Sequence, residues 1–456
     1  MIIDKDKFIK SYNKIVKSLK SDSSDMIFSY TSEFENENFE NLLSADNNIF
    51  KNHIMWIRKS KKFKFLSLGT TQECKLSTQN KRKFNSMVET LIKNSISMNL
   101  TDQKNIPMFI GGQNFNIKRN NSKLWEDVPI AKYLVPEILL MKDNEKITIT
   151  HFFRLIQDAQ KIINTIELNH NYLLDKIESN KNNEVEKINI HSKKIFIKKE
   201  IFKTKIKKIK SCIKKSIASK VVLSNILSYK IDGNLSYDKL LLKMSADYPD
   251  CAIFYYNFND RGVFFGASPE KILSKENDTI TVDALAGSAS IKEQNFLLYD
   301  EKINAEHNFV TNGIKESLQS IHISGKLHER SILKLKNIAH LRTVITAKIN
   351  LHANPLSILD SLVPTAALSG YPKESSMNII NNIEEHERGW YAGPVGWINS
   401  NMNCKFFAGL RSAYMHNNKI YFYAGAGIII NSNANEEWNE ILTKIDSIAN
   451  IVNGQN

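Results

Sequence analysis

Apolar positions along this chain change their spacing several times, and each change marks an element. The first residues, to about Lys20, carry apolar side chains at helical spacing. Ser, Asp, Glu and Asn then dominate as far as Asn48 and leave little pattern. Phe63 to Leu68 reads as a strand ending at Gly69-Thr70-Thr71, and residues 76–100 read as a helix. A strand from Pro107 to Phe115 meets a glycine turn. The stretch from Trp125 to Leu140, with Pro129 and Pro136, leads into another strand at 147–153. A helix follows, and residues 180–190 form a polar, charged connector.

The second half is more sharply patterned. Phe202, Ile206, Ile209, Ile213 and Ile217 recur at helical spacing within the Lys-rich run 193–220, so its lysines form the wet face of an amphipathic helix. Strands at 251–257 and 262–266 are joined by Asn259-Asp260-Arg261-Gly262, a hairpin signal, and the second runs into Gly266-Ala267-Ser268-Pro269-Glu270. A strand at 279–285 ends in Ala286-Gly287-Ser288, and the helix after it carries Glu306 and His307. His340 to Thr343 precede a further strand, and residues 363–372 form a loop suited to a pocket wall. A glycine-broken strand at 391–399 is followed by a strand carrying Arg411 and a turn at His416-Asn417-Asn418. An apolar strand at 420–423 then meets Gly425-Ala426-Gly427, and the last helix bears Glu437, Glu440 and Lys444.

Some of these positions can carry chemistry. Spacings of three and four place Glu437, Glu440 and Lys444 on one helix face. Two carboxylates aimed together suit a hard divalent cation such as magnesium, although a solvated helix face has the same pattern. Paired glycines after a strand let backbone N–H groups approach an anion. Lys220 opens an apolar, β-branched run. Pointing inward it would be desolvated and could serve as a base; at the surface it is only a strand-start charge. Glu270 is either turned inward by Gly266 and Pro269 or an exposed turn acid. Glu306 and His307, adjacent on a helix, diverge by about 100° and make no transition-metal pair, so His307 reads as a packing residue.

Composition narrows the class. With 456 residues, 42% of them hydrophobic, the chain can bury a large core. It has no run of about 18 apolar residues to span a membrane, and its charged start lacks a secretory apolar region. Cys74, Cys212, Cys251 and Cys404 stand far apart without a CxxC pair, which fits a reducing cytoplasm rather than a disulfide or zinc scaffold. The net charge of +14 arises from 62 basic and 48 acidic residues interleaved almost everywhere. Nucleic-acid binding would need aromatic interleaving or a known module, and neither is present.

Ten short stretches, KVVLS, GASPE, ALAGS, EH, HLRT, PTAALSGYP, ERGWYAGPVGW, LRSA, YAGAGI and EEWNEILTK, resemble in their order the chorismate-utilising enzymes, and within them the isochorismate synthases. The likeness is dense over 195–450 and weaker over 1–190. It implies one large α/β (α+β) fold, with antiparallel sheets at the centre and helices outside; residues 195–450 would be its catalytic region. It also implies a magnesium-dependent pocket for chorismate in which Glu306 and Glu440 hold the ion and Glu437 stands close by. Arg411, Tyr391 and the backbone of Gly425, Ala426 and Gly427 would clamp the enolpyruvyl carboxylate. Gly287 N–H and Lys444 would support the ring carboxylate, and His340 would lie near the ring. Glu270 resembles the acid that protonates the departing C4 hydroxyl, and Lys220 the base that activates water for attack at C2.

Relatives differ at these positions. Anthranilate synthases place a non-basic residue where Lys220 stands, and aminodeoxychorismate synthases carry a lysine nucleophile where this chain has Ala286. Lys220 with Ala286 therefore points to water as nucleophile, to isochorismate, and to no glutaminase subunit. Salicylate synthases keep the base and go on to eliminate pyruvate, so they are the nearest alternative. Val363 stands where many isochorismate synthases have histidine. From another class, a catalytically dead, basic nucleic-acid-binding protein would have no reason to keep Lys220, Glu270, Glu306, Arg411 and Glu440 together.

Overall fold

The computed structural model describes residues 4–19, 26–35, 53–76, 80–118, 124–155, 158–179, 188–336 and 338–454. Its N-terminal part contains helices α1 (Lys5–Ser18), α2 (Lys81–Lys93) and α3 (Ala159–Ser179). Its strands are β1 (Ile27–Glu33), β2 (Ile54–Arg58), β3 (Phe63–Leu68), β4 (Gln72–Lys75), β5 (Ile96–Asn99), β6 (Pro107–Gln113), β7 (Ala131–Val135), β8 (Ile138–Asp143) and β9 (Lys146–Arg154). The middle of the chain adds β10 (Asn189–Ile195), α4 (Lys199–Lys214), β11 (Lys220–Asp232), α5 (Tyr237–Asp247), β12 (Ala252–Asn257), β13 (Val263–Ser268), β14 (Lys271–Glu276), β15 (Thr279–Ser290) and α6 (Glu301–Gln319). The last part runs β16 (Lys326–Lys334), β17 (Ile338–Lys348), α7 (Pro355–Leu362), β18 (Gly370–Tyr371), α8 (Lys373–Ile383), β19 (Pro394–Asn399), β20 (Cys404–Ala408), β21 (Ser412–His416), β22 (Lys419–Ile428) and α9 (Ala434–Asn453).

Two sheets hold these strands. One runs β10-β11-β22-β21-β13-β12-β2-β3-β8-β9-β1-β5, with β18 beside β11; the other runs β16-β17-β15-β14-β20-β19-β6-β7-β4. Their ladders are antiparallel except for the parallel pair β1–β5. The sheets meet through aromatic side chains, with Trp56 and Phe407 rings 5.8 Å apart and Phe63 and Trp397 rings 6.1 Å apart. This mixed α/β architecture matches the expected fold class. Residues before 190 and after 195 are interleaved in both sheets, through β12–β2 in one and β19–β6 in the other. Trp125 Nε1 donates to Tyr423 Oη at 2.9 Å and ties the two stretches again in the core.

The structure corrects several boundaries. Residues 76–100 are not one helix: α2 ends at Lys93, and Ile96–Asn99 turns away to pair with β1. That pairing also makes a strand of 27–33, where polar composition hid the alternation. The Lys-rich run is helical only over Lys199–Lys214, and its first residues belong to edge strand β10. His340 lies inside β17 rather than before it. Gly425 to Gly427 do not follow a strand but belong to β22, because ten residues of pairing with β11 outweigh the weak strand preference of glycine. Arg411 sits in the turn between β20 and β21, in a left-handed conformation with φ 45. The 180–190 connector falls mostly outside the described residues. Among the described residues, no helix is long and apolar enough to cross a membrane.

Candidate active site

A cavity of about 810 Å³, its open mouth included, forms where β11, β15 and β22 converge with the turn after α7. Lys220 begins β11 at its floor and is 1% exposed, so the surface reading of this lysine falls. Pairing with Tyr371 of β18 fixes its position, and its Nζ lies 3.0 Å from Glu306 Oε1 of α6.

Glu270 occupies the turn between β13 and β14 and is 3% exposed. The Ala408 N–H donates to its carbonyl at 3.0 Å, and Thr365 Oγ1 donates to its carboxylate at 3.3 Å. Burial pushes its carboxyl up to about 8, against the opposing pull of Lys220 and Thr365. At neutral pH it therefore holds a proton that it can give away.

Another side of the cavity is built from backbone N–H groups and cations. At Gly287 the register of β15 against β17 shifts between Ala286 and Ser288, and a residue at such a bulge is released from the ladder. Its φ of 78 and the nearness of Ile303, which a Cβ would strike, reserve the position for glycine. On β22 the orientation follows from the neighbouring strand. Val222 N–H donates to Ser369 O and Ser224 N–H donates to Glu384 Oε1, both on the side of β11 away from β22. Their partners Gly427 and Gly425 are thus the non-hydrogen-bonded pairs of the ladder, and their N–H groups face outward, beyond the end of β21. Ala426, in register with Leu223, is turned into that ladder and does not line the cavity, which removes it from the expected clamp.

Arg411 reaches the cavity with no ion-pair partner among the described residues; its Nη2 donates to His340 Nε2 at 2.9 Å. The other ring nitrogen of His340 therefore carries the proton and donates to Ser288 Oγ at 2.9 Å. Burial, with Arg411 and Lys444 nearby, holds His340 well below its usual pKa, so it is a neutral fixture rather than an acid or base. Tyr391 stacks on Tyr423 with ring centroids 5.0 Å apart, and Lys444 Nζ donates to Gly425 O at 3.0 Å. His307 is a packing residue, its Nε2 2.8 Å from Thr343 Oγ1.

Three carboxylates approach the cavity from two helices: Glu306 of α6, and Glu437 and Glu440 of α9. Each is turned to a lysine, Glu306 to Lys220 at 3.0 Å, Glu437 to Lys302 at 3.3 Å and Glu440 to Lys444 at 2.6 Å. Among the described residues no group of three His, Cys, Asp or Glu is already arranged as a metal cage. The donor set nevertheless fits a hard cation: burial, then the neighbouring charges of Glu440 and Glu306, push the Glu437 carboxyl up to about 7. The rise reflects carboxylates crowded together, an arrangement that a cation between them would relieve. Glu437 lies outside the cavity wall, whereas Glu306 and Glu440 line it.

The family model described as chorismate binding enzyme matches residues 13–453 of this chain. The chain belongs to that family. Among curated relatives of this chorismate-binding enzyme, isochorismate synthase MenF of Haemophilus influenzae is 32% identical over 240 residues, 51% of this chain and 56% of that protein. Isochorismate synthase EntC of Escherichia coli K12 is 33% identical over 243 residues, 51% of this chain and 62% of that protein. The matched stretches therefore span between half and two thirds of those relatives' lengths. The solved structure of MenF, the menaquinone-specific isochorismate synthase of Escherichia coli, superposes with a TM-score of 0.76 at 19% identity, covering 98% of this chain and 100% of that one. That likeness is one of fold.

Sequence reasoning missed two residues of this enzyme's site. Thr365 lies in PTAALSGYP, the loop expected to form a pocket wall, but was not singled out within it. Arg388 also lines the cavity, yet Glu384 neutralises it in an ion pair at 2.6 Å, so it differs in kind from Arg411. The place of Arg388 in ERGWYAGPVGW was a signal, but nothing local showed what it would touch.

Proposed function

We propose that this enzyme is an isochorismate synthase, converting chorismate to isochorismate by adding water at C2 and expelling the C4 hydroxyl. The observation that carries the proposal is the pair of opposite chemistries in one buried cavity: Lys220 on one wall and Glu270, protonated near neutrality, on another. Glu270 gives its proton to the C4 oxygen, which leaves as water. The two ring double bonds each move by one bond. The oxygen of a second water bonds to C2 as Lys220, acting as the base, takes its proton, so one water enters and one departs. Arg411, Tyr391 and the outward N–H groups of Gly425 and Gly427 receive the enolpyruvyl carboxylate; Gly287 N–H and Lys444 receive the ring carboxylate. Glu306, Glu437 and Glu440 would hold a magnesium ion that neutralises charge on the ring carboxylate. With Ala286 at its position, no lysine nucleophile stands there to compete with water.

Incubating the pure protein with chorismate and magnesium tests the proposal. Isochorismate is the expected product, lost with chelator and regained with magnesium. Salicylate with pyruvate as first product, or full turnover in chelator, would contradict the reaction or the metal respectively.

A further inference from the structure

The outer edge of β11 is closed in an unusual way beside the cavity. Strand β18 is only two residues long and pairs with Lys220 and Val221. Beyond it, Ser369 O accepts from Val222 N–H at 2.9 Å, and backbone takes up this edge again only at Ile226, where Phe196 N–H donates at 2.9 Å and β10 begins its pairing. The edge is continued by side chains. Arg388 Nη2 donates to Val222 O at 2.9 Å, and Glu384 Oε1 accepts from both the N–H and the hydroxyl of Ser224, at 2.7 and 2.8 Å. The two side chains are locked to each other, Nε to Oε2 at 2.9 Å and Nη2 to Oε1 at 2.6 Å. Arg388 also donates from Nη1 to Leu368 O at 2.7 Å, and its guanidinium lies 4.2 Å from the Phe115 ring centroid.

A buried ion pair is weak evidence of stability, because desolvation offsets most of its attraction. What this one does geometrically is specific. One planar cation joins the strand that begins with Lys220 to the turn of Ala367 and Leu368, and both line the cavity. We infer that Arg388 is a positioning residue: with Glu384 it stands in for a missing strand and fixes the distance between the proposed base and the opposite wall. The inference rests on the reading of Lys220 as the base. Arg388 is not itself a clamp on substrate carboxylates, since Glu384 already neutralises it. Lysine cannot replace it, for a single ammonium cannot hold a bidentate carboxylate and two divergent carbonyls in one plane.

The experiment compares wild type with Arg388→Lys by amide hydrogen exchange and by steady-state kinetics. Exchange in the free protein should quicken at residues 220–224 and 365–371 and remain unchanged in α9 and the β8–β9 hairpin. Turnover of folded protein should fall roughly 10- to 100-fold with KM for chorismate changed less than about threefold, the scale of a misplaced catalytic group. Arg388→Gly should regain turnover when guanidinium ion is added, and methylammonium should not restore it. Unchanged exchange at both segments, a rise in KM alone, or wild-type turnover per folded molecule would overturn the inference. The exchange result does not depend on the reaction catalysed, so failure of the isochorismate reading and failure of the positioning role are told apart.

Discussion

At the scale of single residues, Glu270 and Lys220 gain their meaning from burial. Glu270→Gln should lower turnover roughly 10²–10⁴-fold with chorismate still bound, as for a lost general acid; near wild-type turnover would reduce this residue to a turn acid. Because its carboxyl stands at about 8 when folded, turnover that needs its proton should decline as pH rises past about 8. The same shift acts on stability. A carboxyl raised from 4.5 to about 8 by folding contributes fully below 4.5, and that contribution is lost as pH rises through about 8. Glu270→Gln should flatten that part of a stability–pH profile, and an unaltered profile would contradict the assignment. Both residues could be named from sequence, but not their environment: GASPE and KVVLS allow an exposed acid and a surface lysine equally well. Only the long-range pairing of Lys220 with Tyr371, and the approach of Ala408 and Thr365 to Glu270, decide the matter.

At the scale of elements, β11 and β22 form the part of the site most dependent on backbone. A Cβ on Gly427 would collide with Glu306 Oε1 and lie 2.8 Å from Lys220 Cε, whereas one on Gly425 would meet Tyr391 Oη and Val222 Cγ1 at 3.2 Å. Gly427→Ala should therefore abolish most turnover while the protein stays folded, and Gly425→Ala should be milder. Equal effects in a kinetic comparison would show that the Lys220–Glu306 geometry is not what Gly427 protects. The glycines stood out in the sequence as candidates for an anion site, yet their setting was misread as a post-strand turn. Alternation in an antiparallel ladder is what exempts Ala426 from the site, and register is invisible until the partner strand is known. Arg388 was missed for a like reason, since its acceptors are carbonyls of two segments far from it in sequence.

At the scale of the whole molecule, the fold class was legible because ten ordered motifs carried it, whereas the way the halves combine was not. Residues before 190 showed only a weaker resemblance, yet they supply interior strands of both sheets, and β2 and β6 each pair directly with a strand from beyond residue 195. Thermal unfolding should thus show one cooperative transition, and the fragment beginning at residue 195 should not fold alone; two separate transitions would contradict the interleaving. The shared core holds Lys220, Glu270, Gly287, Arg411 and Lys444 around one cavity, and the proposed reaction requires that the new hydroxyl come from solvent. Turnover of chorismate in ¹⁸O-enriched water, sampled early and analysed by mass spectrometry, measures this directly. The prediction is isochorismate with one ¹⁸O at C2; unlabelled isochorismate would mean that the C4 hydroxyl migrates within the substrate, and water activation by Lys220 would fail.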